Sequence, residues 1–449
     1  MFERLRGFFR TMFNRITITR VLNTSPEMTA PMIAKIEQWG DMLTGNAPWC
    51  AGSDYVTSLG IEQGICREFA DVVLSEMEIE ITNDNLQALF DTGIEDINQN
   101  FQDGLAYGSF ALKPVSATGV TEFVTADRIV PIRFGLDKKP TDIAFLDIRH
   151  VDDNKYYIRI ERHTLVDGAL EIANTAYQSS TRYGFDQVVP LSVLPEWEHI
   201  VEGRRYPGMT EMDFGYYRNP IKNKIDGTPC GVSIYDSAIE LIRKADIQGA
   251  RLDWEFESGE RAIHVDSRML QSQGQGHRTM AKLNKRLYRG LKVGDAEAEF
   301  VKEFSPDLRD ANITNGLERY YRQIEFSVGL AYGDLSNTQD VDKTATEIKN
   351  AKFRKYNRVA AIEKNLTTCF EDYVKGLAFY NHLYNAGYEV NCNFRDNVLT
   401  DEETERQQDR QDMAAGVMQP WEYRMKWYGE DEATAKAMVA TPDEGVIDE

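Results

Sequence analysis

Metal sites are built from histidine and cysteine at short, regular spacing, and hydrolytic sites from a nucleophile held against a base. The six histidines of this chain (His150, His163, His199, His264, His277 and His382) include no His-x-x-x-His pair. The five cysteines (Cys50, Cys66, Cys230, Cys369 and Cys392) include no Cys-x-x-Cys pair. Their odd number and scatter predict reduced thiols in a cytosolic setting, without disulfides or a zinc knuckle. A Gly-x-Ser-x-Gly nucleophile elbow is absent from the sequence. Neither Gly227–Ser233 nor Gly290–Gly294 has the glycine, lysine and Ser/Thr spacing of a phosphate-binding loop, which argues against an ATPase motor. Gly274-x-Gly276 lacks the following glycine and the strand-to-helix setting of a dinucleotide site. Carboxylates are so numerous, 72 Asp and Glu, that sequence singles out no acid–base pair. The expectation is a protein with no catalytic residue, no metal and no cofactor.

Charge is more informative than chemistry. The formal net charge is −21, which argues against tight gripping of nucleic acid, since backbone binding rests on lysine and arginine. It leaves room for a protein past which nucleic acid slides. Within this acidic chain, residues 259–292 form a basic island of net +6, carrying Arg261, Arg268, Arg278, Lys282, Lys285, Arg286, Arg289 and Lys292. Such an island reads either as a solvated face or as a surface toward phosphates or a partner. The opposite contrast is the short polar loop Gly333–Asp342. There Asp334, Asp340 and Asp342 stand among Ser336, Asn337, Thr338 and Gln339, with Lys343 following. It reads as an ordinary helix–helix connection or as a weakly adhesive functional surface. Residues 401–449 are acidic again, with a local net charge of −9.

The elements that must carry these surfaces are mostly helical. Residues 1–24 are basic and amphipathic, with Arg4, Arg6, Arg10 and Arg15 interrupting the apolar positions, so no signal-peptide core is expected. The segment could dock on protein or lie on a membrane surface. No apolar run reaches the length of a bilayer span. Helices are predicted at Met32–Leu43, Ile61–Ser75 and Asn85–Tyr107. From Ser109 to about Pro190 the period shifts toward two, predicting strands at Phe110–Val115, Ile129–Phe134, Ile143–Val151, Tyr156–Val166 and Ala169–Gln178, with Asp167-Gly168 as a hairpin turn. Ser233-x-x-Asp236 reads as the cap of a helix over Ile234–Phe256. A strand is predicted at Ala262–Asp266. Ser305-Pro306-Asp307 reads as N-cap, first-turn proline and first-turn acid of a helix near Ile313–Ala331. Ile313, Leu317, Tyr320, Ile324 and Val328 give that helix one apolar stripe. After the polar loop, Thr344-Ala-Thr-Glu347 reads as a capping box opening a helix that runs to Tyr384, roughly 60 Å at the usual rise. Its stripe is Val359, Ile362, Leu366, Phe370, Tyr373, Leu377, Tyr380 and Tyr384. The segment from about Asn385 is read as helical. The fold class expected is α+β, predominantly α.

The order of Asn219-Pro-Ile-Lys-Asn223, Gly231-Val-Ser-Ile-Tyr-Asp236, Asp253-Trp-Glu-Phe256, Glu325-Phe-Ser-Val-Gly-Leu-Ala-Tyr-Gly333 and Lys343-Thr-Ala-Thr-Glu347 resembles the portal proteins of tailed bacteriophages, the SPP1-like siphophage group. The resemblance covers about residues 30–430. It implies a homo-oligomeric ring of twelve subunits, or thirteen when isolated, around a channel at one capsid vertex of the virion, assembled in the host cytoplasm. Residues 1–30 would be a basic N-terminal segment and 31–230 a wing, helical over 31–108 and β-rich over 109–190. Residues 231–258 and 308–332 would be two stem helices, and 259–307 a small α/β clip docking the terminase large subunit and later the head–tail adaptor. Residues 333–343 would be the tunnel loop beside double-stranded DNA, 344–384 the helix from channel to wing, and 385–449 a C-terminal wing and short helical crown. Major capsid and scaffolding proteins would be further partners. Two other classes stay open: a DNA-packaging or recombination enzyme with an undetected site, and a capsid-associated scaffold or membrane-surface protein.

Overall fold

The computed structural model describes residues 18–75, 77–259, 262–266, 271–273, 277–279, 288–291, 301–304, 307–337, 345–394 and 402–439. It is a mixed α and β structure with several sheets, mostly antiparallel. The helix over residues 18–22 (α1) places Ile18 and Leu22 on one face of the largest sheet, against Val130, Ile132, Ala144, Leu146, Ile158 and Ile160. This end of the N-terminal segment therefore docks on its own chain.

The five strands expected between Ser109 and Pro190 form as Ser109–Pro114 (β2), Ile129–Phe134 (β4), Pro140–Asp152 (β5), Lys155–Val166 (β6) and Ala169–Ser179 (β7). The Asp167-Gly168 turn between β6 and β7 has φ of 49° and 70°, the left-handed pair that matches the twist of a two-residue hairpin. Strands β4, β5, β6 and β7 lie side by side in that order, and Gln187–Val189 (β8) and Gly203–Tyr206 (β9) both pair with β7. The alternation predicted from sequence sorts the faces: Ala144 and Leu146 pack under α1, while Ile143 and Phe145 pack on the other side with Phe214. Strand Thr121–Thr125 (β3), which the sequence reading missed, joins β2 and Gly215–Arg218 (β10) in a second sheet.

Several boundaries differ from expectation. The single helix expected over Asn85–Tyr107 is two, Asp84–Gly93 (α4) and Ile97–Tyr107 (α5). Gly93 ends the first, and a Cβ there would lie 1.9 Å from the Tyr373 hydroxyl, so a larger residue would have to displace that ring, and the glycine that avoids this also weakens the helix. The helix expected from Ile234 begins at Ile239 (α6, Ile239–Ser258), after a short turn in which Ser233 Oγ accepts from Tyr235 N at 3.4 Å. Ser233 thus serves the turn and is not the cap of α6. The helix expected to start at Ser305-Pro306-Asp307 begins at Asp310 (α7, Asp310–Val328) with Arg309 at its N-cap; Ser305 and Pro306 lie outside the described residues. Past Asn385, the segment expected to be helical opens with a strand, Val390–Phe394 (β16), paired with Met77–Ile81 (β1). Helices Glu402–Ala414 (α9), Pro420–Tyr428 (α10) and Glu432–Val439 (α11) follow.

One long helix organises the main core. Ala345–Tyr380 (α8) is 36 residues, about 54 Å, and its capping box lies outside the described side chains. Val359, Ile362, Leu366, Phe370, Tyr373 and Leu377 are all buried against Ile61–Leu74 (α3), α4, α5, β2, β10 and the ends of α6 and α7. Each such side chain contributes about 2 kcal/mol of burial. The helix stops four residues earlier than expected because His382 adopts φ 59°, and Leu383 N donates back to Ala378 O at 2.7 Å, closing the helix end. Two glycines let α8 touch backbone. A Cβ at Gly376 would meet Asp213 O at 2.2 Å, and one at Gly215 would meet Cys369 O at 2.1 Å.

Candidate functional site

Helices α6 and α7 form an antiparallel hairpin. Ser237 and Ser327 each donate a hydroxyl to the other's carbonyl at 3.1 Å, Gln248 Nε2 donates to Ile313 O at 3.2 Å, and Arg309 grips the Glu255 carboxylate at 2.7 and 3.1 Å. The paired positions descend one helix as they climb the other. Of the expected stem residues, Ile324 and Val328 are fully buried in the main core, Leu317 and Tyr320 are half-buried against it, and Ile313 is half-buried higher up. The hairpin is rooted on one side by Asp246, which accepts from Trp49 Nε1 at 2.7 Å and from Leu59 N at 2.9 Å. Burial pushes the Asp246 carboxyl up from the ordinary range, opposed by those two hydrogen bonds.

The basic island lies between the two helices, at the far end of the hairpin in chain order. There Ala262–Asp266 (β11) pairs in parallel with Tyr288–Leu291 (β14) and antiparallel with Val301–Phe304 (β15), while Gln271–Gln273 (β12) pairs with His277–Thr279 (β13). Arg278 sits in β13 opposite Ser272, and Arg289 in β14 opposite His264. Arg268, Lys282, Lys285 and Arg286 lie outside the described residues.

At the near end, α7 stops at Gly329, φ 95°, and the polar loop begins. Its first residues wrap a carboxylate that the sequence reading did not single out. Glu325, fully buried, accepts from Gly333 N at 3.0 Å, Leu335 N at 2.8 Å and Ser336 N at 2.8 Å on one oxygen, and from Ser336 Oγ at 2.9 Å on the other. Ser336 is itself buried. Asp334 accepts from Ala331 N at 2.9 Å and pairs with Lys355 Nζ of α8 at 3.1 Å; that lysine also reaches Glu68 of α3 at 2.6 Å. Burial alone would lower the Lys355 pKa, but the two carboxylates raise it. Asn337 is exposed, with its N–H on Glu318 at 2.8 Å. Thr338, Gln339, Asp340, Asp342 and Lys343 lie outside the described residues. Two of the eight loop residues picked from sequence are thus anchors turned into the protein.

A second constellation looks catalytic and is not arranged to be. His163 Nδ1 lies 2.7 Å from Asp213 and Nε2 2.8 Å from Glu161; Lys113 also reaches Glu161 at 2.8 Å, and Tyr380 Oη donates to Asp213 at 2.8 Å. Burial opposes charge on the imidazole, yet the flanking carboxylates hold its pKa up at about 9. Glu161 is held well below the usual range despite burial, by Lys113, His163 and Arg159. With both ring nitrogens on carboxylates, the imidazolium has none left to take a proton from a nucleophile. The cluster ties the sheet to the end of α8 and is structural. From sequence His163 had no distinguishing spacing; its partners are 2 and 50 residues away.

Among the described residues, no group of three or more His, Cys, Asp or Glu is placed to hold a metal ion. Burial pushes up the thiols of Cys66, Cys230 and Cys369. No helix among the described residues is long and apolar enough to cross a membrane. Searches against protein families and curated proteins returned no match.

Proposed function

We propose that this chain is the subunit of a portal: a non-enzymatic ring that forms the DNA channel at one vertex of a phage capsid. The observation that carries the reading is the α6–α7 hairpin. It bears a small basic β unit between its helices at one end, and at the other a polar loop leads into a 36-residue helix whose stripe from Val359 to Leu377 is buried in the body. That is how a stem, a clip, a tunnel loop and a channel-to-wing helix would follow one another in the chain. Exposed apolar side chains along the stem, Trp254 at 59%, Phe256 at 49% and Leu308 at 42%, suit packing against neighbouring stems.

Charge supports the same reading. A channel that DNA must traverse should release few counterions, because each neutralised phosphate adds affinity and drag. A net charge of −21 keeps such adhesion low, while the basic clip would meet acidic faces of the terminase large subunit and the head–tail adaptor, or the DNA itself. Capsid and scaffolding proteins would surround the wing. The test is the native mass of the purified protein together with negative-stain images. A closed ring of twelve or thirteen 51.3 kDa chains with an axial hole is the expected result. A monomer or dimer that persists at high concentration and with magnesium would overturn the reading.

A further inference from the structure

We propose that one flank of the stem hairpin is the socket for residues 53–59 of a neighbouring copy of this chain, with Asp54 and Tyr55 entering a basic, aromatic groove. The inference rests on the ring reading and names the contact that would build it. The groove, about 440 Å³, runs along α7 and is lined by Arg319, Arg322, Gln323 and Phe326, with Leu241 of α6 and Tyr332 at its edges. These α7 positions are spaced by three and four and so form a single stripe. Phe326 is 63% exposed. The Arg354 guanidinium from α8 lies 4.7 Å from its ring centroid and 5.0 Å from that of Tyr332, which pre-sets a planar cation beside the groove. Among the described residues, Arg322 Nε and Arg354 Nη1 are buried N–H groups without an acceptor. Buried donors of that kind are costly and keep positive charge unneutralised behind the groove, whose own lining adds Arg319 and Arg322, so an incoming carboxylate is attracted to it.

The matching surface is on the same chain. Residues 53–59 form an ordered loop: Ser53 Oγ accepts from Val56 N at 2.9 Å, Ser58 Oγ accepts from Gly60 N at 3.0 Å, and Leu59 N is held by Asp246. Yet this rigid loop presents Tyr55 at 75% exposure, Leu59 at 43% and the exposed Asp54 carboxylate. An acid beside an aromatic ring complements arginines beside an aromatic ring. DNA would satisfy the arginines but would leave Phe326 uncovered.

Sidedness makes the pair a head-to-tail contact. At about 100° per residue, the groove stripe on α7 lies about a quarter-turn from Gly316 and Ser327, which face α6 and the turn before it. On α6, Asp246 and Gly249 hold the loop, and they lie about a third of a turn from Gln248 and Glu255, which face α7. With the helices antiparallel, those two rotations point to opposite flanks of the hairpin. Different patches on opposite flanks cannot satisfy each other within a two-fold dimer; they join copies head to tail, the kind of contact a closed ring requires.

A charge swap tests this. Arg322→Glu and Asp54→Arg should each raise the protein concentration needed for assembly about tenfold or more, read by native mass spectrometry at moderate salt, and the double variant should return it close to wild type. Phe326→Ser, at an exposed position where the fold is not at risk, should weaken assembly to a similar degree at any salt. Single variants that assemble like wild type, or a double variant weaker than either single, would overturn the socket while leaving the ring reading intact. A wild-type chain that forms no ring removes the ring reading itself. Loss of DNA binding by Arg322→Glu with assembly unchanged would assign the groove to nucleic acid instead.

Discussion

Glu325 is the point at which the polar loop can be released without touching the loop itself. Its carboxylate collects three backbone N–H groups and one hydroxyl, all between 2.8 and 3.0 Å. In Glu325→Ala, water can reach the exposed Gly333 amide, but the Ser336 N–H and hydroxyl stay in a buried site and Leu335 is half-buried. Leaving such donors unpaired costs about 1–3 kcal/mol each. Allowing for relaxation, the anchored state should weaken by about 3 kcal/mol, roughly a hundredfold in the local opening equilibrium. Glu325→Gln keeps one acceptor but loses the charge that strengthens these bonds, and should lie near tenfold. Hydrogen exchange of the Leu335 and Ser336 amides reads this directly, with the amides of α5 as an internal reference. Leu335 and Ser336 amides that exchange at the same rate in Glu325→Ala as in wild type would refute the anchor, and with it the view that the loop starts from a fixed base.

Two further substitutions probe the frame behind the hairpin. His163→Gln leaves Glu161 and Asp213 facing a neutral amide in a buried site, so it should lower stability by about 3–5 kcal/mol, seen as a drop in urea midpoint. Because the His163 pKa is raised to about 9 from an unfolded value near 6.5, its stabilising contribution is complete below about pH 6.5 and is lost as pH rises through 9. Its carboxylate partners run the other way, with pKa values lowered by folding, so their contribution is present at neutral pH and is lost on acidification. A wild-type urea midpoint that does not fall between pH 7 and 9.5 would contradict the imidazolium assignment. Gly376→Ala should destabilise by about 2–3 kcal/mol, the scale of a forced overpacking, although Gly→Ala inside a helix ordinarily stabilises. A melting temperature that rises in this variant would show that α8 does not press on the Asp213 backbone.

The parts of this fold that were legible in the sequence are those written in periodicity. The stripe from Val359 to Leu377 and the alternation from Ile143 to Ala176 depend on neighbours within a few residues, so one helix and one hairpin series could be read directly. Boundaries failed where the contact behind them is remote: the glycine at the end of α4 makes room for Tyr373, 280 residues on. Strand β16 was missed because its partner β1 lies more than 300 residues earlier in the chain. The same limit applied to the candidate site. Asp334 and Ser336 read as loop surface because short polar residues in a loop usually face water, but a buried Glu325 draws both the backbone and the Ser336 side chain inward.

That reversal changes how the charge of the chain should be used. An excess of carboxylates suggests a repellent surface, yet Glu325, Asp246, Asp213 and Glu62 are buried, and the first three accept the hydrogen bonds that fix the hairpin, its loop and the long helix. Those carboxylates act as internal acceptors and are not part of the surface that meets a partner. On the portal reading, the part of the polar loop left to face DNA is the part beyond its anchor, from Asn337 onward. Placing lysine at Asp340 and Asp342, with Asp334 left in its pair with Lys355, separates charge toward DNA from loop anchorage. Packaging yield should fall in that variant while ring assembly and the protection of Ser336 hold, and a normal yield would remove the loop from the DNA path.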